Sequence, residues 1–400
     1  MNALAQRVRG QVVRTSELQL AFLKRLVAME TPSGEPARTR EGLELMAGEL
    51  EEIGFRPRIF AGKTSGGQLV ATPRSRRKRE PVQMLIGHID TVWPLGTIEE
   101  IPLVVEDRLL KGPGVFDMKA GLCNTVFALR ALAALELEPP VTPVVFVNSD
   151  EEIGSHESVS RLLRLAAISE RAYVMEPALG IAGKLKTARK GVGKYVITAH
   201  GVAAHAGLNP DGGASAILEL SHVIQSLFAL NNRDQGVSIN VGQIEGGLGA
   251  NVIAPRSSCQ VDVRVPTARH AEEVDRAIRS LESVTPGVRL EISGGLRRPP
   301  LEPTPDSVRL WECAKAIAGE LDFDLEEGMA GGGSDGCYTG QLTPTLDGLG
   351  AVGDGAHANH EHVFINQLAE RTSLLALLIM APALTKPRKE RSCKPSCAHH

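Results

Sequence analysis

The run Val144-Val145-Phe146-Val147-Asn148 leads without a break into Ser149-Asp150-Glu151-Glu152. A short apolar, β-rich stretch with Pro143 before it and Gly154 after it reads as a strand buried on both faces. Strands of that kind belong to parallel sheets covered by helices, and such sheets place ligands just outside the strands' carboxyl ends. The chain is therefore expected to form an α/β layer with Asp150, Glu151 and Glu152 at the edge where a site forms. Neighbouring carboxylates repel unless something positive lies among them. Taken alone, this stretch also fits a solvated acidic loop.

Two other strands end in the same way. Val82 to Ile86 runs into Gly87-His88-Ile89-Asp90, and the alternation of an extended chain turns His88 and Asp90 to one side. A histidine with a carboxylate beside it fits a metal ligand and its orienting partner. Ala172-Tyr173-Val174-Met175 ends in Glu176-Pro177, where the proline keeps Glu176 extended. Between them, Gly112-Pro113-Gly114-Val115-Phe116-Asp117 precedes a helical pattern over Ala120 to Ala134, so Asp117 arrives at a helix entrance. An N-cap role is the simpler alternative for Asp117, and the glycine spacing fits neither nucleotide-binding fingerprint. His357-Ala358-Asn359-His360-Glu361-His362 adds imidazoles late in the chain.

A length of 400 residues favours two domains. The first helices are expected over 15–30 and 37–53, with strands over 56–60 and 68–71. From about residue 186 the texture changes to strand, helix, strand, strand, helix, strand, a split β-α-β layer of ferredoxin-like type. The predicted division is a discontinuous catalytic domain, 1–185 and 298–385, with a mixed central sheet flanked by helices. Residues 186–297 form an inserted α+β domain whose open sheet edge invites pairing with a second copy. In the returning segment, 306–321 reads as a helix, 330–336 as a glycine-rich turn opening a helix, and 366–384 as the last helix. The polar tail 386–400, with Cys393, Cys397 and His399-His400, is expected to be disordered.

A formal net charge of -3 argues against nucleic acid or an anionic membrane as the main partner. The basic run Arg74-Ser75-Arg76-Arg77-Lys78-Arg79 reads as a solvated connection between strands. Cys123, Cys259, Cys313 and Cys337 are widely spaced and suggest neither a zinc finger nor a disulfide framework. With no signal-peptide pattern at the start and no run of membrane-spanning length, a reduced, cytoplasmic protein is expected.

His88, Asp117, Glu152, Glu176 and one histidine of 357–362 form an imidazole and carboxylate set without thiolate. Such a set suits two zinc ions bridged by one carboxylate, with a position open for water. Glu151, the acid beside a ligand, could take the water's proton and pass it to a leaving amine.

These motifs together resemble the dinuclear zinc peptidases and deacylases of the M20 type over about residues 15–384. They are His88-Ile89-Asp90, Asp117 with its glycines, Asp150-Glu151-Glu152, Glu176-Pro177, and His357 followed at the fourth place by Glu361. The resemblance implies that His88 and Glu176 bind one zinc, Glu152 and His357 the other, and that Asp117 bridges them. It makes Asp90 the partner that orients His88, Glu151 the general base, and the peptide bond after Asp117 cis. It further implies a homodimer through the inserted domain, with His205 reaching the partner's site as an oxyanion donor. Asn251, Arg264, Gly332 and Arg298 would contact substrate, Arg298 through the substrate α-carboxylate. The expected activity is removal of a C-terminal residue, glutamate first, from a peptide or N-acyl conjugate. The alternatives are an aminoacylase or acetylornithine-type deacylase, a di- or tripeptidase, or a non-catalytic metal-dependent binding protein.

Overall fold

A computed structural model of the chain describes residues 2–77 and 80–384. The expectations for the tail 386–400 and for Lys78 and Arg79 fall outside the described residues. A mixed sheet runs in the order Phe55–Phe60, Gln68–Pro73, Thr142–Asn148, Val82–His88, Ser169–Val174, Thr345–Leu346. The last four of these strands are parallel, and Gln68–Pro73 runs against them. His88 lies opposite Asn148, and Ile86 opposite Val174, so three parallel strands end level with one another. The residues that follow them emerge on one edge of the sheet.

The central strand Val82–His88 is buried at every position, which is why its sequence shows no polar alternation. Met84, Ile86, Phe146 and Val174 pack beneath Leu162 and Ala166 of the helix Val159–Ala166. Leu85, Val145, Val147 and Tyr173 face the larger core, shared with the helices Ser16–Ala28, Pro36–Glu52, Ala120–Ala134 and Ile365–Ile379. Helix Ala120–Ala134 comes so close to the sheet that a Cβ on Gly121 would lie 2.0 Å from the Met175 carbonyl oxygen. Only glycine permits that approach. It brings the turn carrying Asp117 against the strand end that carries Glu176.

The four-stranded antiparallel sheet of the insertion has the order Ser238–Gly246, Arg256–Val265, Gly191–His200, Arg289–Arg298. With helices Ala216–Ala229 and Ala268–Arg279 it makes a β-α-β-β-α-β unit around its own core of Tyr195, Ile197, Leu227, Val261 and Ile278. Leu185–Arg189 pairs instead with Glu327–Ala330 of the returning segment. It is buried throughout, so no alternation separates residues 186–189 from the layer before them.

Three further differences from the sequence reading have local causes. A helix, Ala3–Arg14, precedes the first one expected. Its buried stripe is only Ala5, Val8 and Val12, and the intervening arginines hide it. The last helix stops at Ile379, and the turn at 330–336 opens only the short helix Gly336–Thr339.

Arg371 of the last helix is buried with no carboxylate ion pair among the described residues. Its guanidinium donates to the carbonyls of Gly350 and Gly183, both at 3.0 Å, and of Gly348. Burial pulls its pKa down to about 10. Arg371→Met would leave these carbonyls unpaired in the interior, at a cost of about 3–5 kcal/mol. Urea unfolding should show the midpoint falling with an unchanged slope, whereas a loss below about 1 kcal/mol would contradict this role.

Candidate metal centre

The level strand ends and the Asp117 turn bring the predicted ligands together. His88 Nε2 lies 3.3 Å from Asp117 Oδ1 and 3.5 Å from Glu176 Oε1. His357 Nε2 lies 3.4 Å from Asp117 Oδ2 and 3.3 Å from Glu152 Oε1. The two oxygens of Asp117 thus face different donor sets. Ligand atoms sharing a tetrahedral ion at about 2.0–2.1 Å stand roughly 3.3–3.4 Å apart, so these separations fit cations held between them. His88 Nε2, Asp117 Oδ1 and Glu152 Oε1 are buried with no hydrogen-bond partner among the described residues, and cations held in the two donor sets would satisfy them.

The donors are held from behind. His88 Nδ1 donates to the Asp90 backbone carbonyl at 2.9 Å, which turns the Nε2 lone pair toward the site. The Asp90 carboxylate stands 3.5 Å from Nδ1. It accepts instead from the N–H groups of Glu151 and Glu152, at 3.2 and 3.1 Å, and from Ser33 Oγ at 2.8 Å. Asp90 orients His88 through its main chain, and its carboxylate folds the acidic loop. The Asp117–Met118 peptide bond is cis. Glu361 accepts from the N–H groups of Gly114, Phe116 and Asp117 and from Trp93 Nε1, at 2.8–3.0 Å. That carboxylate therefore ties the His357 loop to the Asp117 turn. His357 itself has a left-handed backbone, φ 60°, which a non-glycine residue adopts only under surrounding constraint.

Glu151 lies with His88 and Glu176 in a group whose potential ligand atoms fall within 4.8 Å of one another. Burial pushes its pKa well above the usual carboxylate range, against the pull of Arg298. Arg298 Nη1 is 2.6 Å from Glu151 Oε1, and Nη2 is 2.6 Å from the Glu151 carbonyl oxygen. In this conformation the guanidinium expected to await a substrate carboxylate is engaged with the expected base.

The remaining predicted residues are not among the paired donors of this cluster. His205 and Asn251 are neighbours in the inserted domain, joined by the Ala206 N–H to the Asn251 carbonyl and by the bridge of His205 to Val252. His205 is exposed, and its Nδ1 accepts from Gly207 and Leu208 N–H, both at 3.1 Å, which leaves the ring proton on Nε2. Arg264 makes a two-pronged pair with Asp262 at 2.8 and 3.1 Å. The Gly332 carbonyl accepts from Arg189 Nη1 at 3.1 Å. His362 Nδ1 donates to the His360 carbonyl at 2.8 Å. Arg189 escaped the sequence reading because a buried arginine and a surface one look alike in a strand. Ser33 follows a helix stop and carries no signal of its own. Glu361 was visible as the fourth residue after His357, though its backbone partners were not.

Without cations, the surrounding carboxylates hold protons on both imidazoles. His88 is raised well above the ordinary histidine value despite its burial, and the Asp117 and Glu152 carboxylates beside its ring carry His357 up to about 10. His357 is therefore protonated at pH 7 in the cation-free protein, His88 is shifted in the same direction, and a bound cation requires neutral imidazole. Zinc uptake at pH 7 should release protons, that of His357 among them, measurable with a pH indicator in weak buffer. Release should decline as the pH rises through about 10. Uptake without proton release at pH 7 would contradict this electrostatic reading.

Residues 84–381 match Peptidase family M20/M25/M40. Among curated proteins, the chain is 27% identical to carboxypeptidase G2 of Pseudomonas sp. (strain RS-16), over 90% of this chain and 88% of that one. Among solved structures it resembles aminopeptidase PepT of Bacillus cereus, with a TM-score of 0.76, 20% identity, and coverage of 91% and 98% of the two chains. It also resembles the Bacillus subtilis YXEP protein, described as a dinuclear metal binding peptidase, with a TM-score of 0.67, 14% identity, and coverage of 92% and 98%. The match spans both the donor sets and the inserted layer: the chain belongs to Peptidase family M20/M25/M40, a family of metal-dependent hydrolases of amide bonds.

Proposed function

We propose that the chain is a dinuclear zinc exopeptidase that removes a C-terminal amino acid from a peptide or N-acyl conjugate. The observation that carries this reading is Asp117, whose two oxygens face the His88–Glu176 pair and the His357–Glu152 pair separately. His88, Glu176 and Asp117 would hold one ion, and His357, Glu152 and Asp117 the other. When bound, the ions supply Lewis acidity that polarises the scissile carbonyl and acidifies water. Glu151 takes the water's proton and hands it to the departing amine. Its raised pKa suits that return step.

Arg298 receives the substrate α-carboxylate in this reading, a task to which its planar fork is suited. To do so it exchanges Glu151 for the substrate, which frees the base when a carboxylate arrives. Glutamate is the first side chain to test. The support is the resemblance of Gly350-Ala351-Val352-Gly353 and Arg298-Pro299 to the glutamate carboxypeptidase branch. Deacylase and dipeptidase activities use the same centre with a different pocket.

A second copy completes the site in this proposal. The edge strand Ser238–Gly246 carries Ile244 60% exposed, with Leu248 75% exposed just beyond it, an apolar strip suited to strand pairing. Such pairing would bring the free Nε2–H of His205 to the other chain's substrate as an oxyanion donor.

Glu151→Gln should retain both cations by metal analysis and lower kcat on N-acyl-glutamate by about 10²–10⁴-fold. A loss below about tenfold would contradict the assignment of the base. The matching substrate with its C-terminus amidated should be cleaved poorly by the native protein. Equal cleavage of acid and amide would contradict carboxylate capture by Arg298.

A further inference from the structure

Arg189 ends the strand Leu185–Arg189, immediately before the chain crosses into the inserted domain. It is only 3% exposed, and each of its five N–H groups has an acceptor. Nε and Nη2 hold Asp347 in a fork at 2.8 and 2.9 Å. Nη1 holds the carbonyls of Gly332 and Gly333 at 3.1 and 3.2 Å. The remaining Nη2 proton goes to Glu176 Oε2 at 3.1 Å. Asp347 is itself fixed, by Ser334 Oγ at 2.6 Å and by the Gly348 N–H.

This leaves Glu176 with one oxygen committed to Arg189 and the other, Oε1, aimed at His88 Nε2 at 3.5 Å. The Arg189 main chain also exchanges both backbone hydrogen bonds with Leu301, each at 3.0 Å, where the chain returns from the inserted domain. The geometry points to Arg189 as a positioning residue of the metal centre: it presents a single oxygen of Glu176 to a cation and couples that ligand to the paired segments joining the two domains. The inference rests on the metal-centre reading given above. Its physical basis is that partners behind a ligand fix the ligand's orientation, and losing one weakens metal binding about 10–100-fold. Lysine cannot replace it, because a point ammonium with three donors cannot span Asp347, Glu176 and two carbonyls at once.

The test is stepwise zinc binding by competition with a chromophoric chelator, on the full-length protein and on Arg189→Lys. The native chain should take up two zinc ions. Arg189→Lys should show one of the two steps weakened about 10–100-fold, with the other within about threefold of native. Asp347→Asn, which removes the anchor and keeps the arginine, should weaken the same step. Circular dichroism of the cation-free variants reports whether they fold, and the inference is judged on whichever of the two does. Cobalt(II) loading gives a spectroscopic readout independent of turnover. Freed of Arg189, Glu176 can offer both oxygens, so the visible absorption of one site should fall as its coordination number rises. Two native steps in a folded variant, or equal weakening of both steps, would overturn the inference. Failure of the native protein to bind zinc would overturn the metal-centre reading itself.

Discussion

A set of carboxylates gathered at one buried sheet edge is the constraint on which this structure turns. Asp90, Asp117, Glu151, Glu152 and Glu176 all lie within or beside the cluster around His88. Removing several negative charges from water together is unfavourable unless positive charge comes with them. The chain supplies part of it, through Arg189 on Glu176 and Arg298 on Glu151. The two imidazoles supply more by holding protons far above their usual range. Among the described residues, Asp117 and Glu152 have no arginine in their ion pairs, only the histidines that share their donor sets. That imbalance suits the centre to a cation and sets it apart from an ordinary ion-pair network.

The scaffold is organised to hold this unfavourable arrangement. Parallel strands of matched register deliver His88, the acidic loop and Glu176 to one edge. Gly121 lets a helix close onto that edge. Behind the ligands stands a ring of fully used polar groups: the Asp90 carboxylate under the acidic loop, Glu361 under the Asp117 turn, and Arg189 behind Glu176. Such partners fix where each ligand atom points, so a cation meets donors already in position. The inserted layer joins this scaffold through the connections that run past Arg189 and Arg298.

The candidate ligands His88, Glu152 and Glu176 were legible in the sequence because strand periodicity and the ends of parallel strands are local signals, whereas Asp117 and His357 were singled out by the resemblance of their motifs. An apolar run finishing in His88, in Glu152 or in Glu176 announces both the strand and where it stops. The ferredoxin-like order of the insertion was legible for the same reason, since its half-buried strands alternate. What escaped notice depends on contacts between distant segments. Nothing near Arg189 in sequence points to Asp347 or Glu176, and nothing near Arg298 points to Glu151. The fully buried strand Leu185–Arg189 blurred the domain boundary, because it lacks the alternation that marks the inserted sheet. Helix Ala3–Arg14 was missed because three small apolar residues suffice to dock it.

The account stands or falls on a shared carboxylate between two cations. Anomalous diffraction at the zinc absorption edge, from crystals of the chain purified without chelator, tests this directly. The account predicts two peaks about 3.5–4 Å apart, with one oxygen of Asp117 on each. A single peak, or two peaks of which Asp117 touches only one, would contradict it.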